Sequence, residues 1–279
     1  MGKLLQSIFH RRALLILFGG LILALSVSVS NWAQMSLPSP QDQSSFPARK
    51  DFLWDGFNVV VLDPGHGGGE IGAVGPEGLR EKDFTLKLAR KVERMLVDRL
   101  GLVVYLTREK DVAVPVLQRT ASSNNRNADL LISLHSGAGF GRETSGAVIC
   151  YYIEETPMPI AGLNSRAFDS LSSWRWDLAH QFHLRESAEF AKILAGKVGP
   201  IFKGEARGVP RGIIQVLQGA AMPAILMEVG TITAPSDEAI LRQEETLTAL
   251  ASSITEAVFI FKRQIEEAVL QPGAEKLNH

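Results

Sequence analysis

From residue 51 onward, solid apolar runs alternate with segments that are apolar along one stripe only. Residues 58–62 form a continuous, largely β-branched run, the pattern of a strand buried on both faces. Across Glu81–Leu100, Phe84, Leu88, Val92 and Leu96 recur at helical spacing with lysines and arginines opposite, and Gly101 follows as a stop. The same reasoning predicts strands over 102–106, 130–134, 146–152, 213–217 and 224–229, and helices over 116–127 and 186–198. A long amphipathic helix closes the chain, with Leu241, Leu247, Leu250, Ile254, Val258, Phe261 and Ile265 as its apolar stripe. Apolar strands alternating with helices predict an α/β fold with a central, mostly parallel sheet flanked by helices, here one domain over residues 56–270.

Four stretches depart from this rhythm. Residues 153–184 hold Pro157, Pro159, several serines and the run WRWDLAHQF, and read as a long insertion with a regulatory or substrate-binding role. Residues 1–30 carry Lys3, Arg11 and Arg12 ahead of an apolar run, the pattern of a signal peptide or a membrane anchor. Ser28 and Ser30 have the spacing of a cleavage site after Ser30. Either form sends the rest of the chain out of the cytoplasm, to the periplasm or cell envelope, with an inner-membrane anchor if the segment is retained. Residues 31–55, rich in Ser, Pro and Gln, read as a polar tether, and 271–279 as a loose tail.

Composition narrows the function. The net charge is -1 and aromatics are 7%, with no basic stripe, which argues against a nucleic-acid partner. The one cysteine, Cys150, lies in the apolar run SGAVICYY and reads as a small core residue; a cysteine-rich zinc site is excluded.

In parallel sheets, sites gather at the carboxyl ends of strands. His66 follows the first strand, Arg108 the second, His135 ends LLISLH, and Glu228 ends AILMEVG. His66 sits in VLDPGHGGGEIGAV, with four glycines between positions 65 and 69 and Asp63 and Glu70 on either side. Three readings compete. The glycines could serve a tight turn alone, but His135 and Glu228 also end apolar runs, where a polar residue needs a reason. A phosphate cradle lacks the usual fingerprints, and Asp63, Glu70 and Glu81 would repel an anion. The third reading is a metal: His66, His135 and one carboxylate match the three protein ligands of a catalytic zinc. Spacing alone leaves Glu81 open between a third ligand and a helix-start acid. It leaves Glu228 open between a proton-transferring carboxylate and a salt-bridge partner of Arg108 or Arg119.

At these residues the sequence resembles the zinc-dependent N-acetylmuramoyl-L-alanine amidases of the type-3 amidase family, bacterial cell-wall hydrolases. Three ordered motifs carry the resemblance between Val59 and Leu241: VVLDPGHGGGEIGAVGPEGLREKD, YLTREKDVAVPVLQRTASSNNRNADLLISLHSGA and PAILMEVG. The resemblance implies one zinc ion held by His66, Glu81 and His135, with Glu228 as the catalytic carboxylate. It also implies a single α/β domain. The implied activity is hydrolysis of the amide between the lactyl group of N-acetylmuramic acid and L-alanine in peptidoglycan. The alternatives are a non-catalytic peptidoglycan-binding protein on this fold and a zinc carboxypeptidase acting on stem peptides. Some family members carry a helix in an insertion that plugs the zinc site, so a partner protein acting on 153–184 is a further expectation. The sequence departs from the family where TITAPSDE follows Glu228-Val229-Gly230, where Ser136 follows His135, and at Glu70, where an aspartate is usual. Glu70 is therefore expected to order the loop or support the ligands rather than to be one.

Overall fold

The computed structural model describes residues 56–137, 146–152, 176–202, 211–212 and 214–270. The segment 1–55, most of the insertion (153–175) and the tail 271–279 lie outside the described residues. Within them, no helix is long and apolar enough to cross a membrane.

The strands are β1 (Val59–Pro64), β2 (Val103–Leu106), β3 (Leu130–Gly137), β4 (Val148–Tyr152), the two-residue β5 (Arg211–Gly212) and β6 (Ala224–Thr231). They form a mixed sheet in the order β2-β1-β3-β6-β4-β5. The central strands β2, β1, β3 and β6 are parallel, while β4 runs antiparallel to β6. The helices are α1 (Glu81–Leu100), α2 (Val116–Asn125), α3 (Leu184–Val198), α4 (Pro235–Leu241) and α5 (Glu244–Leu270). Helices α1 and α3 pack on the sheet and α5 packs against both of them, and their apolar stripes fill this side of the core. Phe84, Leu88, Val92 and Leu96 of α1 are all buried, as their spacing predicts, and Gly101 closes the helix in the left-handed conformation. Alternate strand residues point to the other face. There Val61, Leu131 and Tyr152 join Val216, Leu217 and Met222 in a second cluster, next to which α2 packs on the turn Gln215–Leu217.

Two predicted elements differ from those observed. The strand expected over 213–217 is a 3-10 turn at Gln215–Leu217, and the strand pairing falls instead on Arg211–Gly212 against Tyr151 and Tyr152. Consecutive residues of a strand face opposite ways, whereas Val216 and Leu217 both enter the same cluster, which a tight turn permits. The closing helix is also interrupted: Leu241 belongs to α4, and a new helix starts at Glu244. Both halves still bury their apolar stripe, so periodicity alone could not place the break.

Candidate metal centre

Because β1, β3 and β6 are parallel, their carboxyl ends lie together. The chain leaving β1 turns at His66, which has φ +61, a left-handed conformation unusual for a residue with a side chain. It then doubles back through two short backbone ladders, Gly67 with Glu70 and Val74 with Arg80. The N–H groups of Glu81 and Lys82 donate to the carbonyls of Ala73 and Ile71, so the start of α1 is tied to the loop. Glu81 is thereby returned to His66, fifteen positions after the turn that carries the histidine.

His66, Glu81 and His135 converge, with one potential ligand atom from each lying within 4.8 Å of the others. Glu81 sits between the two imidazoles: Oε2 is 3.1 Å from His66 Nε2 and Oε1 is 3.0 Å from His135 Nδ1. The backbone N–H groups of Ala73 and Ser136 donate to the same two oxygens, at 2.8 and 3.0 Å. Burial disfavours the Glu81 charge, but the bonds from His135, His66, Ala73 and Ser136 outweigh it and hold the carboxyl far below its usual range. Burial likewise disfavours a charged His135, yet its bond to Glu81 and the nearby Glu228, Glu81 and Asp63 raise its pKa.

The glycines make room for these rings. A Cβ on Gly65 would stand 2.4 Å from His135 Cε1, and one on Gly72 would stand 2.6 Å from His66 Cδ2 and 2.5 Å from Glu81 Oε2. Gly72 also has φ +73. The loop gives up side chains at these points so that the backbone can pass against the imidazoles.

Glu228 is paired with His135 across β3 and β6. Its Oε2 is buried without a hydrogen-bond partner, and Gly137 leaves the space beside it, since a Cβ there would lie 2.9 Å from that oxygen. Burial raises the Glu228 pKa; His135 and His66 pull it down and Glu81 pushes it up. Glu228 is in no salt bridge with Arg108 or Arg119. Arg119 pairs with Asp63 at 2.7 Å, and Arg108 donates to the carbonyls of Pro64, Gly65, Lys82 and Lys110. Glu70 is exposed, and it orders the loop through its backbone pairing with Gly67 rather than through its carboxylate. Cys150 is partly buried, and burial followed by the Glu228 charge pushes its thiol up to about 11, so little thiolate exists at neutral pH.

Several residues that shape this end of the sheet were not singled out for it from the sequence. Ser136, a departure from the family pattern, is fully buried; its hydroxyl donates to the Val229 carbonyl while its N–H holds Glu81. Asp237 and Glu238, in the divergent TITAPSDE stretch, are buried acceptors. Asp237 receives the N–H groups of Thr231 and Gly146, and Glu238 those of Glu77 and Leu79 in the loop leading to Glu81. No sequence signal separates these two acids from ordinary helix-start acids.

A family model described as N-acetylmuramoyl-L-alanine amidase matches residues 60–259. The chain is 29% identical over 211 residues to the N-acetylmuramoyl-L-alanine amidase AmiC of Escherichia coli, covering 70% of this chain and 51% of that one. It is 30% identical over 230 residues to the N-acetylmuramoyl-L-alanine amidase AmiC of Neisseria meningitidis, covering 77% of this chain and 54% of that one. The chain thus spans about half the length of these two relatives. The fold superposes on the catalytic domain of CwlV, an N-acetylmuramoyl-L-alanine amidase from Bacillus (Paenibacillus) polymyxa, with TM-score 0.59 and 27% identity, covering 73% of this chain and 97% of that domain. The family match runs through β1, α1, β3 and β6 and includes every residue of the convergent group, and on it the chain belongs to the type-3 N-acetylmuramoyl-L-alanine amidase family.

Proposed function

We propose that this chain is a zinc-dependent amidase that hydrolyses the amide between the lactyl group of N-acetylmuramic acid and the L-alanine of the peptidoglycan stem. The observation that carries the proposal is one juxtaposition. A buried Glu228 oxygen without a partner lies at the end of the sheet where His66, Glu81 and His135 converge. Two imidazoles and a carboxylate are the donor set of a catalytic zinc site that keeps a position for water. His66, Glu81 and His135 fit that set and would hold one zinc ion per chain. The backbone bonds from Ala73 and Ser136 orient Glu81 before any metal arrives.

When bound, zinc supplies Lewis acidity, which lowers the pKa of water from about 15.7 to about 7 and polarises the amide carbonyl. This chain's own residues supply the proton handling. Glu228, with its proton affinity raised by burial, accepts a proton from the attacking water and returns it to the leaving nitrogen. The raised Cys150 pKa fits a mechanism with no thiolate nucleophile. The reading includes export through residues 1–30, which the basic n-region and apolar run support, and a partner protein acting on the insertion 153–184.

Digestion of purified peptidoglycan by wild type and Glu228→Ala, with mass analysis of the products, tests the activity. Wild type is expected to release stem peptides with a free N-terminal L-alanine, and the variant to be slower by at least about a hundredfold. Shortened stems would replace the amidase with a carboxypeptidase. No products from wild type, with retained binding, would replace it with a wall-binding protein.

A further inference from the structure

The His66 turn is gripped from behind by a buried cation that the proposed chemistry does not use. Arg119 lies on α2 with its side chain 4% exposed, and Asp63, in β1, is fully buried. The guanidinium uses all three nitrogens. Nη1 donates to Asp63 Oδ1 at 2.7 Å and to the Pro64 carbonyl at 2.8 Å, Nη2 to the His66 carbonyl at 2.9 Å, and Nε to the Val114 carbonyl at 3.0 Å. Asp63 is itself fixed by the hydroxyls of Ser133 and Thr107. The guanidinium thus spans from strand β1, through the carboxylate, to the carbonyl of the one ring-bearing residue in the loop that is held at positive φ.

A left-handed residue with a side chain persists only where its surroundings over-determine it. The pair between Gly67 and Glu70 holds the N–H side of the peptide that follows His66, where Gly67 N–H donates to the Glu70 carbonyl at 2.9 Å, and leaves the carbonyl side to another partner. Among the described residues, the Arg119 bond is the hydrogen bond to the His66 carbonyl. Rotating His66 out of positive φ would carry its imidazole away from Glu81, move the following peptide off both Arg119 and Glu70, and leave the buried guanidinium short of an acceptor. We propose that Arg119, oriented by Asp63, is a positioning residue that holds His66 in its left-handed conformation and so sets the geometry of the metal centre. This rests on the reading of His66 as a zinc ligand.

The planar fork is what the role requires, because a lysine in its place keeps the charge and can satisfy Asp63 but cannot also reach the Pro64, His66 and Val114 carbonyls. The test compares Arg119→Lys with Thr107→Val, which removes a bond to the same carboxylate without touching the loop. Each folded protein is titrated with zinc against a chromophoric chelator, well below its melting temperature. Each is also loaded with cobalt(II), whose visible absorption reports ligand geometry. Arg119→Lys is expected to bind zinc about tenfold more weakly, with an altered cobalt spectrum, while Thr107→Val loses stability only. A loss under threefold in Arg119→Lys, an unchanged cobalt spectrum, or an equal loss in Thr107→Val overturns the proposal. Should Arg119→Lys not fold, Asp63→Asn, which leaves the guanidinium but removes its orienting charge, takes its place under the same criteria. Absence of zinc binding by wild type would instead overturn the metal site itself.

Discussion

At Gly65 there is no room for a methyl group: a Cβ would enter the His135 ring at 2.4 Å. Since the obstruction is a ring that has to face Glu81, relief would displace His135 itself. Gly65→Ala is therefore expected to weaken zinc binding by at least about tenfold while leaving the far-UV circular dichroism unchanged. Undiminished affinity in a metal titration would show that the ring has freedom the packing denies it. The same scale explains why Glu70, within the loop, and Glu81, the first residue of α1 after it, differ. Glu70 faces solvent, whereas Glu81 is 4% exposed and accepts from two backbone N–H groups and lies against two imidazoles. Desolvation makes those bonds strong, and it is their number that keeps Glu81 ionised in spite of burial.

At the scale of elements, the loop between β1 and α1 is held at its far end by α4. Glu238 is fully buried and takes the N–H groups of Glu77 and Leu79, one on each oxygen. Glu238→Gln replaces one acceptor with an amide NH2 facing an N–H, leaving a buried donor unpaired at a cost of about 1–3 kcal/mol. Urea denaturation should show that loss, with faster amide exchange at Glu77 and Leu79; an unchanged midpoint and unchanged exchange would mean that the clamp contributes nothing. The insertion enters at the same scale. Its last turn, Trp176–His183, leads into α3, with the His180 ring 4.0 Å from that of Tyr152 on β4 and its Nδ1 accepting from the N–H of Gly219. Deleting 157–180 is expected to change the rate of peptidoglycan hydrolysis or its binding; if both were unaltered, the insertion would have no part in either.

For the molecule as a whole, a ligand that binds only the folded state stabilises it by mass action. Zinc at about a hundredfold over its dissociation constant should add about 2.7 kcal/mol. For a domain of this size that is roughly 5–10 °C in melting temperature. The shift should vanish with a strong chelator and be absent in His66→Ala. An equal shift in His66→Ala would place the metal elsewhere.

The order of strands and helices, and the burial of Phe84, Leu88, Val92 and Leu96, were legible in the sequence because apolar periodicity reports which side of an element meets the core. His66, His135 and Glu228 stood out for the same reason, as polar residues following apolar runs. The turn at Gln215–Leu217 and the break before Glu244 were not legible, since Val216, Leu217 and Leu241 satisfy their burial in either conformation. Spacing alone left open the convergence of Glu81 with the histidines, which only the family resemblance implied, and gave no sign of the grip of Arg119 and Asp63 behind them. Residues 54 and 56 positions apart in sequence meet there only because parallel strands bring their carboxyl ends together and the glycine loop folds back. Local pattern by itself determined the elements and the candidates; the long-range pairing of β1, β3 and β6, which no local pattern encodes, decided which candidates share a site.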